Sequence, residues 1–163
     1  MTRRHPRRTV DPALATSMLA AGHLAVVGAS PTAGNFGATI VHELRARDRR
    51  VVAVHPSAEP IERVPSYATL AEVPQPIDVA IVMVGAEHAA GVVRECADLA
   101  IRRVWLFRGA GAGAATEEAI ALAEELGLEV VPGACPLMFL EPVGMIHRIH
   151  RAVRRARGSL VAA

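Results

Sequence analysis

The sequence predicts an α/β fold: a single doubly wound parallel sheet of five to six strands, followed by a C-terminal amphipathic helix. Three observations carry this. Short apolar runs recur along the chain, each too brief for a buried helix and stopped by Gly, Pro or a polar residue. Segments with helical spacing lie between them. Hydrophobic residues make up 52% of the chain and aromatics only 3%, so the core is aliphatic, as strands buried on both faces require.

The elements follow in order. LAVVG at 24–28 reads as the first strand, ending in Gly. FGATIVHELRAR at 36–47 places Ile40, Val41 and Leu44 at helical spacing. RVVAVHP at 50–56 is a second strand stopped by Pro56. In SYATLAEVP, Thr69 and Glu72 fit the capping box of a short helix. DVAIVMV at 78–84 is the next long strand, and residues 87–100 form a helix expected to pack through Val92, Val93 and Leu99, with Cys96 in the core. RVWLF at 103–107 and LEVV at 128–131 are strands. Between them Thr116 caps a helix that starts with Glu117 and Glu118 and stops at Gly127. EPVGMIHRIHRAVRRAR then forms an amphipathic helix with Pro142 near its first turn and Met145, Ile146, Ile149 and Val153 as its apolar stripe. A sixth, short strand between residues 61 and 67 gives the spatial order 3-2-1-4-5-6 of a Rossmann-like sheet. The 163 residues suit one domain, read as a basic arm at 1–12, a domain at 13–157 and a tail at 158–163.

Charge is unevenly spread. All 18 basic residues are arginine. Arg3, Arg4, Arg7 and Arg8 crowd one end, and Arg148, Arg151, Arg154, Arg155 and Arg157 the other. The remaining nine arginines share residues 9–147 with all 16 acids, a net charge of −7. Basic ends of this kind bind nucleic acid, an anionic membrane or an acidic partner, or simply solvate the surface. Solvation is the reading taken, with no nucleic acid expected. A chain without lysine has no internal Schiff base and no lysine for the phosphate-binding loop of NTPases. A GxSxG nucleophile elbow is absent too. Two cysteines exclude a disulfide framework and a four-cysteine zinc site. No apolar run reaches the ~20 residues of a membrane span, and no apolar signal core directly follows the basic start. A cytoplasmic location and no membrane association are expected.

In a doubly wound sheet the ligand sits beyond the carboxyl ends of the strands, at the switch point. VVGASPTAGNFG at 26–37 lies there. Gly28 ends the strand, Ser30 offers a hydroxyl, and Gly34 and Gly37 let backbone approach a ligand. The amides from Asn35 to Gly37 open a helix, where orphan N–H groups and the helix dipole attract an anion. A nucleotide-like ligand follows. The dinucleotide fingerprint GxGxxG is missing, and the second strand ends in Val54-His55-Pro56 rather than an acid, which disfavours NAD.

These stretches resemble the small stand-alone CoA-binding proteins, related to the CoA-binding domain of the succinyl-CoA synthetase alpha chain. The resemblance runs from about Leu24 to Arg157. It rests on VVGAS with the later NFG, VAVHP, SYATLAEVPQPID, RRVWLFRGA and, most specifically, GACPLMFLEPVGMIHRIHR. It implies coenzyme A or an acyl-CoA as ligand. Gly28, Ala29, Ser30, Asn35, Phe36 and Gly37 would then hold the pyrophosphate through backbone amides. Val54, His55 and Pro56 would lie along the adenosine half. Val84 and Gly85 would line the ligand's route, and Phe107 and Arg108 would sit at the following strand end, Arg108 being placed for a phosphate or carboxylate or for an acidic side chain. His55 stands where the family usually has Asn. The lysine of the synthetase relatives is absent from SAEPIER, leaving Arg63 as the base available there for a 3′-phosphate. The synthetase's second domain has no counterpart in these residues, so a ligase reaction is not expected.

Other chemistry is weaker. Cys135 in GACP could form a mixed disulfide with CoA or pack beneath its turn, and packing is the reading taken. His147 and His150, one helical turn apart, could join Cys135 or Glu141 around a metal, but such histidines more often border a helix–sheet interface and no metal is expected. No carboxylate pair stands out as general acid and base. The expectation is a CoA-binding module without evident catalysis, with a homodimer or a protein partner left open. The alternatives are a nucleotide-dependent enzyme, NAD(P)-linked for example, using the same cleft, and an adaptor for RNA or protein acting through the arginine ends.

Overall fold

The computed structural model describes residues 9–109 and 113–141. Six parallel strands form one sheet: β1 (Leu24–Val27), β2 (Val51–Val54), β3 (Ser66–Tyr67), β4 (Val79–Val82), β5 (Arg103–Leu106) and β6 (Glu129–Pro132). Their spatial order is β3-β2-β1-β4-β5-β6. The α/β, Rossmann-like fold expected from the sequence is therefore present, short third strand included. β1 lies at the centre, with Leu24 opposite Val51 on one side and Val79 on the other.

Alternation along the strands divides the interior into two cores. Leu24, Val26, Ala53, Ile81 and Trp105 face α1 (Pro12–Leu19), α2 (Phe36–Arg45) and the segment 134–140. Ala25, Val27, Val54, Val82 and Leu106 face α3 (Ala86–Asp98) and α4 (Glu117–Glu125). Ile40, Val41 and Leu44 are buried on α2, as their spacing predicts. Thr116 caps α4 by accepting from the Ala119 amide at 3.0 Å, and Gly127 ends it with φ +71°.

Two local expectations change. Leu99 is 40% exposed rather than packed. The chain reverses after α3, with Ala100 at φ +58° and the Ile101 amide on the Cys96 carbonyl (2.8 Å), so Ile101 takes the buried place and Leu99 is turned outward. The Thr69–Glu72 box shrinks to one 3₁₀ turn, Leu70–Glu72, in which Thr69 makes no side-chain cap bond and Glu72 accepts instead from the Ala68 amide at 3.1 Å. The expected C-terminal helix, with Pro142, Met145, Ile146, His147, Ile149, His150 and Val153, lies outside the described residues.

The GACPLMFL stretch has a packing role. Trp105, wholly buried on β5, donates from its indole nitrogen to the Ala134 carbonyl at 2.8 Å and meets Phe139 edge-on at 5.7 Å between ring centroids. Pro136–Met138 forms a 3₁₀ turn whose Pro136 and Met138 are buried. Trp105→Phe removes the donor and leaves the Ala134 carbonyl buried without it. Stability should fall by about 2 kcal/mol, read as a lower urea midpoint with an unchanged slope. An unchanged midpoint would show that this bond does not anchor the segment.

Candidate functional site

The central crossover fixes the site. β1 leaves the sheet at Gly28, whose amide still donates to the Val54 carbonyl at 2.7 Å while φ has swung to +97°. A Cβ at this position would stand 2.6 Å from the Met83 carbonyl oxygen. Only glycine fits between the neighbouring strand ends. The chain then passes Ala29 and Ser30, both buried, and reaches Asn35, the cap of α2. The Asn35 side chain works in both directions: its Oδ1 accepts from the Ala38 amide (3.1 Å) and its Nδ2 donates to the Gly28 carbonyl (3.1 Å). It ties the loop's start to the helix's start. Gly37 lies so close to Ala29 that a Cβ would be 2.7 Å from the Ala29 Cα.

This closure leaves backbone donors unused. The amides of Ser30, Phe36 and Gly37 donate to no described residue. The first turn of α2 holds no acid. α3, which also starts at this edge, differs: Glu87 sits in its first turn, and its carboxylate folds over Gly85, reaching 2.6 Å from where a Cβ would be. Of the two helix ends beside the switch point, α2 is therefore the one that welcomes an anion.

Next to this loop a cleft of about 400 Å³ opens over the ends of β1, β2 and β4. It brings together Gly28, Val54, His55, Pro56, Val84 and Gly85 from the sequence expectation. Ala29, Ser30, Asn35, Phe36 and Gly37 form the adjoining loop and helix start. The Phe36 ring, 37% exposed, rests on Phe107 at 5.4 Å, linking that loop to the end of β5. Arg108 is exposed and does not line the cleft; its stem runs beside Gly133 at the β6 end. Arg63 is likewise exposed and outside the cleft.

Sequence reasoning missed the far wall: Thr69, His88 and Glu95 also line the cleft. Glu95 accepts from the Leu70 amide at 3.1 Å, so this carboxylate holds the 3₁₀ turn against α3. His55 accepts at Nδ1 from the Ser57 amide (3.2 Å), the arrangement of the tautomer that carries its hydrogen on Nε2. The Ser57 hydroxyl lies 2.9 Å from the same nitrogen. His55 therefore offers a donor at the end of β2. Behind the wall, burial pushes the Cys96 thiol up to about 12, with Glu95 adding to the rise. Cys135 is half-buried and its carbonyl accepts from the Met138 amide at 3.0 Å. No cluster of three His, Cys, Asp or Glu able to hold a metal occurs among the described residues, and no described helix is long and apolar enough to cross a membrane.

A doubly wound sheet places its ligand site at this edge, where the helix start and the switch-point cleft adjoin. Residues 23–141 match the family described as CoA binding domain, and the chain belongs to that family. Over 128 residues it is 33% identical to acetate–CoA ligase [ADP-forming] I of Archaeoglobus fulgidus, covering 75% of this chain and 19% of the ligase. Ligase II of the same organism is 33% identical over 81 residues, 48% of this chain and 12% of the ligase. The chain thus spans less than a fifth of either relative's length at the matched region. Among solved structures, a hypothetical protein from Pyrococcus horikoshii OT3 superposes with a TM-score of 0.74 at 22% identity, covering 88% of this chain and 99% of that one. The apo form of acetyl-coenzyme A synthetase 1 from Ca. Korarchaeum cryptofilum superposes with a TM-score of 0.58 at 23% identity, covering 67% and 25%. These two likenesses concern the fold.

The raised Cys96 thiol makes a pH prediction. The unfolded thiol ionises from about 9.0 whereas the folded one holds its proton to about 12, so its contribution is complete below pH 9 and is lost as pH climbs through that window. Stability should fall there by up to about 1.4 kcal/mol per pH unit more than in Cys96→Ala. Parallel stability–pH curves for the two proteins would contradict the assignment.

Proposed function

We propose that the domain binds coenzyme A or an acyl-CoA, with the pyrophosphate on the start of α2 and the adenosine half in the cleft between β1, β2 and β4. The observation that carries this reading is the set of unused Ser30, Phe36 and Gly37 amides at an acid-free helix end, beside a loop locked by Gly28 and Asn35. Gly28, Ala29, Ser30, Asn35, Phe36 and Gly37 contribute backbone or hold it. Val54, His55 and Pro56 border the adenosine, the His55 Nε2–H donating to it. Val84 and Gly85 shape the floor, and Phe36 with Phe107 flanks the path toward Arg108. When bound, the ligand supplies a thiol or thioester; the chain's part is to bind and orient it.

Membership of the CoA binding domain family supports the ligand class. Against a dinucleotide stands the β2 end, where His55 replaces an acid and the carboxylate that does line the cleft, Glu95, is already engaged by the Leu70 amide. The same engagement favours a binding module over a catalyst, because a carboxylate fixed on a backbone donor is poorly placed to move protons. Acting within the cytoplasm, alone or against a protein partner, such a module would report or carry CoA.

Two measurements test this. CoA at a hundred times its dissociation constant should stabilise the protein by about 2.7 kcal/mol, read as a rise in melting temperature, while NAD at the same concentration should give no rise. Asn35→Ala, which frees the Gly28 carbonyl and uncaps α2, should cost about 1 kcal/mol of stability and weaken CoA about tenfold, as expected for a charged ligand losing one backbone donor's alignment. Stabilisation by NAD without stabilisation by CoA would overturn the proposal.

A further inference from the structure

The opposite edge of the sheet carries a second positively charged site. Arg45 ends α2, and the turn that follows, Ala46–Arg50, returns the chain to β2 with Asp48 at φ +56° and the Arg49 amide on the Leu44 carbonyl (3.0 Å). Arg45, Arg49 and Arg50 surround a depression of about 370 Å³ floored by Val51 and Val64, with Asp48 on its rim. Arg50 lies immediately before β2, so it stands five residues, roughly 16 Å of extended chain, from His55 at the ligand edge of the same strand.

None of these three guanidinium groups has an ion pair or side-chain hydrogen bond among the described residues. Their neighbour Arg47 shows the contrast: it pairs with Glu43 at 2.6 Å and donates to the Glu141 carbonyl at 2.8 Å. Arg49 is the unusual member. Its Nε is buried and has no hydrogen-bond partner among the described residues. A buried charged donor left unpaired is costly, and such a group calls for a partner from outside the protein. The rest of the chain cannot supply a carboxylate side chain, because all 16 Asp and Glu fall within residues 9–109 and 113–141, where none reaches these arginines. Three positive charges against Asp48 in a domain that is otherwise acidic make a local anion trap.

We infer that Arg45, Arg49 and Arg50 form a binding site for a small phosphoanion of the pyrophosphate class, separate from the cleft. Arginine is suited to it, since its planar fork pairs two phosphate oxygens at once. An anion bound at the guanidinium of Arg49 offsets the charge of its buried end. The site does not depend on the identity of the ligand at the other edge.

The test is titration with inorganic pyrophosphate, followed by calorimetry, on the protein and its arginine variants. Binding should weaken with added salt. The double variant Arg45→Gln/Arg50→Gln, which changes two exposed side chains, should bind pyrophosphate about tenfold or more weakly while its CoA affinity is unchanged. Arg49→Gln should do the same. Equal binding by the double variant or no binding at millimolar pyrophosphate would each overturn the inference.

Discussion

The architecture turns on the close passage of Gly28 against the end of β4. Its amide remains in the sheet through the Val54 carbonyl, while its missing Cβ leaves space for the Met83 carbonyl. From that contact follow the direction of the loop, the tether from Asn35 back to the Gly28 carbonyl, and the orientation of α2 with its first amides facing the sheet's carboxyl edge. A side chain at residue 28 would push β1 and β4 apart where the strand order reverses. In the proposed reading, phosphate recognition is a property of backbone placement, which is how a domain without lysine would present a positive field.

The two cores hold this placement. Trp105, Ala134 and Phe139 close the α1–α2 side of the sheet, and α3 with α4 closes the other. Glu95 links the second core to the ligand edge: one oxygen holds the Leu70 amide, the helix behind it buries Cys96, and the cleft wall is thereby fixed to the packing of α3. Rigidity of the cleft and stability of the domain are thus two consequences of the same contacts.

Much of this was legible in the sequence because parallel strands are written as short apolar runs and their helices as spaced ones. LAVVG, VVAV and DVAIV could be placed in order without coordinates, and the β1 loop could be assigned to the ligand edge by topology alone. α1 was not singled out, although Asp11-Pro12 carries its signal: Asp11 accepts from the Ala13 amide and Pro12 takes the first helical position. The far wall of the cleft was illegible because Thr69 comes from the turn after β3 and His88 and Glu95 from α3 itself, and only the fold brings these two segments to the β2 end. GACPLMFL was recognisable as a motif, yet its work is packing through Trp105, which no spacing rule announces. Leu99 misled because helical periodicity continues past the point where Ala100 reverses the chain.

The central claim is that the ligand's phosphates rest on the free amides at the start of α2. The most direct measurement is the amide chemical-shift map of the labelled domain titrated with CoA. The account predicts the largest changes at Ser30, Phe36 and Gly37, with smaller ones at Gly28 and His55. Changes centred away from these residues, or none at saturating CoA, would contradict it.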